Sequence, residues 1–273
     1  MVRMGTTIDI VRAKWLSMTS PETKTEVGVL LIGHGTREPA GLEEFRDLAR
    51  RLSQQLGSLP MESCFLELAE PDINAGFARL LSQSVSTVVA APALLFAAGH
   101  AHEDIPRALS VAAAKHPGLS IRQAPVLGGS QSILELSARR YREVMSVVGQ
   151  DEPGETFLLL VGRGSRDEAA TAEMFRFTEL RRTLTPVALA QPAFVAMAQP
   201  GLIEGLSQAV VSGKKRIVVQ PHLLFDGLVR AEIEETVRDF ERRWPDRQWL
   251  VSRHLGPDDL VIEALREAIE QVV

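Results

Sequence analysis

Two stretches of this chain repeat one another at a fixed offset, and no other feature restricts its possible folds as much. Leu30-Leu31-Ile32-Gly33-His34-Gly35-Thr36-Arg37-Glu38 returns 129 positions later as Leu159-Leu160-Val161-Gly162-Arg163-Gly164-Ser165-Arg166-Asp167. Glu67-Leu68-Ala69-Glu70-Pro71 falls on Ala196-Met197-Ala198-Gln199-Pro200 at the same offset, and Pro92-Ala93-Leu94-Leu95-Phe96 on Pro221-His222-Leu223-Leu224-Phe225. One residue is then lost, so Gly99-His100 meets Gly227-Leu228. A period of this length denotes two whole domains rather than a solenoid of small units. Residues kept in both copies mark shared architecture. His34, Glu67 and His100 become Arg163, Ala196 and Leu228 in the second copy, so these reactive groups point to chemistry in the first.

The 273 residues accommodate a polar leader (1–24), a first domain (25–148), a linker (149–155) and a second domain (156–273). The leader carries Arg3, Arg12, Lys14 and Lys24 without a long apolar core, which argues against a secretory signal; Met18 is an alternative start. A formal charge of −5 with dispersed basic residues argues against nucleic acid as a partner. The apolar run 85–98 is too short to span a bilayer and is interrupted by Pro92. Cys64 is the only cysteine, which excludes a disulfide framework and a Cys-x-x-Cys metal knuckle and fits a reducing cytoplasm.

Short apolar runs alternate with longer amphipathic stretches, as in an α/β protein. The first copy predicts strands over 27–33, 61–68, 87–95 and 121–127, and helices over 38–56, 71–83, 102–115 and 130–147. The second predicts strands near 156–162, 186–194, 216–224 and 248–255, with a last helix over 258–273. Nearly continuous apolar strands imply parallel sheets covered on both faces, so each half is expected to be a small doubly wound sheet. The working edge of such a sheet is where strands end and loops leave. With strand order 2-1-3, His34, Glu67 and His100 all reach that edge.

Two imidazoles and a carboxylate suit either a divalent transition metal or proton transfer near neutral pH. Gly33-His34-Gly35-Thr36-Arg37, Phe65-Leu66-Glu67-x-Ala69-x-Pro71, and Pro92-x-Leu94-Leu95 with Gly99-His100-x-x-x-Asp104-Ile105-Pro106 are similar to the sirohydrochlorin chelatase family. The resemblance covers residues 27 to about 150 strongly and 156–273 as a degenerate copy. It implies a bilobed fold with a central cleft, and ATP-independent insertion of Co²⁺ or Fe²⁺ into sirohydrochlorin in cobalamin or sirohaem synthesis. Cobalt is preferred because the two-copy form resembles the cobalt-inserting branch. The resemblance also implies that His34 and His100 bind metal and accept pyrrole protons, with Glu67 as the companion carboxylate and no permanently bound cofactor. Sirohydrochlorin carries eight carboxylates, for which Arg37, His102, Arg163, Arg166 and Arg230 are candidate contacts. One site per chain and a monomer are expected.

Gly213-Lys214-Lys215 lacks the glycine spacing and hydroxyl of a Walker loop, consistent with ATP independence. A histidine-phosphatase reading lacks the arginine before the histidine, since that position is Gly33. A non-catalytic tetrapyrrole or metal carrier is the main alternative. His116 and His254 are expected to be structural, and His222 to be a hydrogen-bonded core or cleft imidazole rather than a ligand.

Overall fold

In a computed structural model that describes residues 27–97, 99, 103–148 and 153–273, the chain forms two four-stranded parallel sheets. The proposed leader, His100 and His102 lie outside the described residues. The first copy contains β1 (Val27–Gly33), α1 (Pro39–Leu56), β2 (Met61–Phe65), α2 (Ile73–Leu81), β3 (Thr87–Pro92), α3 (Ile105–Ala114), β4 (Ser120–Gln123) and α4 (Gln131–Met145). The second contains β5 (Thr156–Gly162), α5 (Glu168–Thr183), β6 (Leu189–Phe194), α6 (Leu202–Val211), β7 (Arg216–Pro221), α7 (Leu228–Arg243), β8 (Gln248–Val251) and α8 (Asp259–Glu270). The strand orders are β2-β1-β3-β4 and β6-β5-β7-β8, so the expected 2-1-3 arrangement holds in both copies.

Both faces of each central strand are covered. Val29, Leu30, Leu31 and Ile32 are each 0% exposed, and their alternate side chains enter different cores. Leu30 and Ile32 join Phe77, Leu80, Ile105 and Leu109 of α2 and α3. Val29 and Leu31 join a larger core shared with residues of the second copy.

Several predicted strands continue too far. The runs over 61–68, 87–95 and 216–224 stop as ladders at Phe65, Pro92 and Pro221, whereas the strand expected to end at 194 does end at Phe194. The apolar residues that follow, Leu94, Leu95 and Phe96 in one copy and Leu223, Leu224 and Phe225 in the other, line cavities instead. Hydrophobic runs report burial without distinguishing a strand's continuation from an apolar cleft wall.

The two halves share their inner layer. Helix α4, last in the first copy, packs against α5 and β7 of the second; α8, last in the second, packs against α1 and β3 of the first. The exchanged helices also pack on each other. Buried Arg140 of α4 fastens the joint: its Nε donates to His254 O at 2.8 Å, and its Nη2 donates to Leu255 O at 2.7 Å and Asp258 Oδ2 at 3.0 Å. Arg181 of α5 donates to Ser137 Oγ of α4 at 3.0 Å, and burial lowers this guanidinium to about 10.

Candidate functional site

The sheet edge that carries His34 is built by backbone pairing beyond the formal strands. Leu66 N–H donates to Gly33 O at 2.9 Å and Glu67 N–H to His34 O at 3.1 Å, so the motif histidine and the motif glutamate are held side by side. Gly35 makes this possible: its φ is +95°, and a Cβ there would lie 1.8 Å from Glu67 O. Only glycine fits so close a crossing in that conformation. His34 Nε2 and Glu67 Oε1 are consequently 3.6 Å apart.

The second copy has the same backbone without the same groups. Val195 N–H donates to Gly162 O at 3.0 Å and Ala196 N–H to Arg163 O at 2.9 Å. Gly164 has φ +92°, and a Cβ there would lie 1.8 Å from Ala196 O. The repeated glycines are thus architectural, as the shared motif suggests.

The two edges face each other. Arg163 Nη1 reaches to within 3.3 Å of His34 Nε2 across the gap between the copies. One cavity of about 520 Å³ brings the Gly162-Arg163-Gly164-Ser165-Arg166 turn against Leu94, Leu95, Phe96 and Gly99. A second, of about 450 Å³, brings Gly33 through Glu38 against Leu223, Leu224, Phe225 and Arg230. These volumes lie in the ordinary range for small-molecule sites. His34 and Arg163 line both cavities, so the pair stands where the two halves of the cleft meet.

The candidate arginines differ in what holds them. Arg37, Arg163 and Arg166 are exposed at the cleft and form no ion pair among the described residues. Arg230 also lines the cleft but is clamped by Asp226, whose Oδ2 accepts from Nη2 at 2.9 Å, and by Glu234. That guanidinium holds Asp226 below the usual carboxylate range, chiefly through their hydrogen bond. Of the five expected substrate contacts, Arg230 is therefore the one already neutralised by neighbouring carboxylates, and His102 lies outside the described residues.

No group of three His, Cys, Asp or Glu side chains with metal-binding geometry occurs among the described residues. His34 and Glu67 form a pair, and the third expected ligand, His100, lies outside the described residues.

His222 departs from expectation. It is 2% exposed beside the cleft, its ring centroid lies 4.3 Å from that of Phe177 and 5.3 Å from that of Phe96, and neither ring nitrogen has a hydrogen-bond partner among the described residues. Burial drives its pKa down to about 3, so the imidazole is neutral. His254, by contrast, meets the carboxylate of Glu44 at 3.0 Å across the copies, as a structural residue should. Cys64 is buried and its thiol is pushed up to about 12 by burial, which leaves it unreactive.

Sequence reasoning missed two cleft residues. Leu68 and Met197 occupy equivalent positions, are 49% and 50% exposed, and line the second and first cavities respectively. The repeat contained the signal: both copies hold a large apolar residue immediately after the glutamate position. The strand predicted over 61–68 took in Leu68, and the strand predicted over 186–194 ended before Met197.

The sequence pattern of the CbiX family matches residues 28–144 and again 157–272. A sirohydrochlorin cobaltochelatase of Priestia megaterium is 26% identical over 245 residues, covering 89% of this chain and 79% of that protein. A sirohydrochlorin ferrochelatase of the same organism is 28% identical over 245 residues, covering 90% of each. Among solved structures, SirB from Bacillus subtilis with Fe³⁺ superposes with a TM-score of 0.80 at 25% identity, covering 90% of this chain and 95% of that one. One cobalt and one iron enzyme thus match over nearly the same span, so the two-copy form does not select cobalt. The double match along most of its length establishes that this chain belongs to the CbiX family.

Proposed function

We propose that this protein inserts a divalent metal ion, Co²⁺ or Fe²⁺, into sirohydrochlorin without ATP. The observation that carries the proposal is the His34–Glu67 pair, fixed by backbone hydrogen bonds at the mouth of an apolar cleft, with arginines at its rim that form no ion pair among the described residues. Leu94, Leu95, Phe96 and Phe225 offer surface to a flat macrocycle, while Arg37, Arg163 and Arg166 offer charge-assisted hydrogen bonds to its carboxylates.

Insertion converts one M²⁺ and one free-base macrocycle into the metal complex and two protons. The Nε2 lone pair of His34 is suited either to bind the incoming ion or to accept a pyrrole proton, and Glu67 is placed to receive a proton in turn. His100 is assigned to the same task by its motif. The residues 25–148 would supply all three groups, and 156–273 would supply the opposite wall and Arg163. Cobalt and iron both accept imidazole and carboxylate ligands, so discrimination would arise from ligand geometry and metal supply.

The test is metallation of anaerobic sirohydrochlorin followed by its absorption spectrum. His34→Ala is expected to lower the rate by about 100-fold or more, the usual worth of a positioned acid–base group. An unchanged rate in that variant would contradict the assignment, and direct competition between Co²⁺ and Fe²⁺ would give the preference.

A further inference from the structure

The contact between Arg163 and His34 has a chemical direction. A guanidinium has donors only, so in this contact His34 Nε2 must be the acceptor. Nδ1 then carries the proton and faces Gly35 O at 3.3 Å. The nitrogen turned toward Glu67, 3.6 Å away, is thus the one whose lone pair Arg163 engages. A metal ion needs that same lone pair at about 2.1 Å, and an imidazole nitrogen has only one. Arginine and metal therefore exclude each other at Nε2.

Arg163 is also well placed to leave. Its side chain is exposed, and among the described residues no carboxylate holds it. It lies in the same turn as Arg166, at the cavity whose opposite wall includes Leu94, Leu95 and Phe96. A polycarboxylate entering that cavity would offer Arg163 stronger acceptors than a neutral imidazole.

We infer that Arg163 is a displaceable cap on the metal-binding nitrogen: it covers His34 while the cleft lacks tetrapyrrole and transfers to a substrate carboxylate when the macrocycle arrives. The inference rests on the chelatase reading and adds an order to it, macrocycle before metal. It also gives a role to the exchange of histidine for arginine between the copies. Where the first copy holds an imidazole, the second holds a charged group that covers it.

The experiment titrates Co²⁺ alone into the full chain, without tetrapyrrole and at one pH, and reads the visible absorption of the bound ion. Arg163→Met keeps the length of the side chain and removes its charge and donors. It is expected to tighten Co²⁺ binding by about tenfold, the scale of one hydrogen bond from a charged donor. The gain should vanish when His34→Ala is added. Arg166→Met removes the same charge from the same turn without a hydrogen bond to His34, and should tighten binding by only about twofold through the screened field. Metal-free sirohydrochlorin should bind Arg163→Met more weakly than wild type.

Unchanged or weaker Co²⁺ affinity in Arg163→Met, an equal gain in Arg166→Met, or no Co²⁺ binding by any of these proteins would each overturn the cap. Metallation by the wild type separates this outcome from the functional reading. Turnover without tightening in Arg163→Met removes the cap and leaves the chelatase; tightening without turnover leaves the cap and removes the chelatase.

Discussion

Gly35 and Gly164 make the same close crossing, but only Gly35 brings a reactive pair together. A methyl group at position 35 would meet Glu67 O at 1.8 Å in a backbone conformation with φ +95°, so Gly35→Ala must push Glu67 away from His34. We expect a stability loss of about 1–3 kcal/mol by chemical denaturation, together with loss of metallation activity. A Gly35→Ala protein with wild-type stability and rate would show that the pair does not depend on this turn. His222 yields a second prediction. Its folded pKa of about 3 lies below the ordinary value of 6.5, so below about pH 6.5 the unfolded chain binds a proton that the folded chain refuses. The associated stability is complete above pH 6.5 and declines as pH falls toward 3, by about 2 kcal/mol between pH 7 and pH 5. His222→Leu should flatten that part of the pH profile in urea titrations, and an unaltered slope would contradict a neutral buried imidazole. At this scale the sequence singled out His34 and Glu67 because one copy holds them and the other does not, and the structure places them side by side. It did not reveal that His222 has no hydrogen-bond partner among the described residues, since its surroundings come from far away in the chain, here the rings of Phe96 and Phe177.

Among the elements, the helices were the more legible. The apolar stripe of α1 and the glycine at position 57 delimit Pro39–Leu56 almost to the residue. Strand ends were less so, because Leu94 to Phe96 and Leu223 to Phe225 are apolar for the sake of the cleft. The exchange of α4 and α8 left no pattern in the sequence, since an amphipathic helix shows which face it buries but not which sheet receives it. Arg140 makes the exchange measurable. Replacing it with Met leaves Asp258 and the carbonyls of His254 and Leu255 without this donor. A loss of roughly 3 kcal/mol is expected in equilibrium unfolding. A loss below about 0.5 kcal/mol, the ordinary effect of a surface substitution, would mean that the joint contributes little.

At the scale of the whole molecule, covalent repeats and packing units differ. Each copy has its own parallel sheet, yet each sheet is covered in part by the other's last helix, and one core contains Leu31 and Phe45 together with Leu160, Val261 and Leu265. Residues 27–148 expressed alone would expose the surface that α8 covers. We expect that fragment to bind hydrophobic dyes and to lack a cooperative thermal transition, and co-expression with 153–273 to restore one. A cooperative transition in the isolated fragment would contradict the shared inner layer. The same architecture would let one site serve the whole chain: both edges meet at the His34–Arg163 contact, with the His34–Glu67 pair on one side and a cation on the other. The central claim is catalysis rather than carriage, and the direct measurement is the number of sirohydrochlorin molecules metallated per chain under anaerobic conditions with excess metal and macrocycle. The account predicts steady metallation far beyond one equivalent per chain; a change that stops at one equivalent would contradict it.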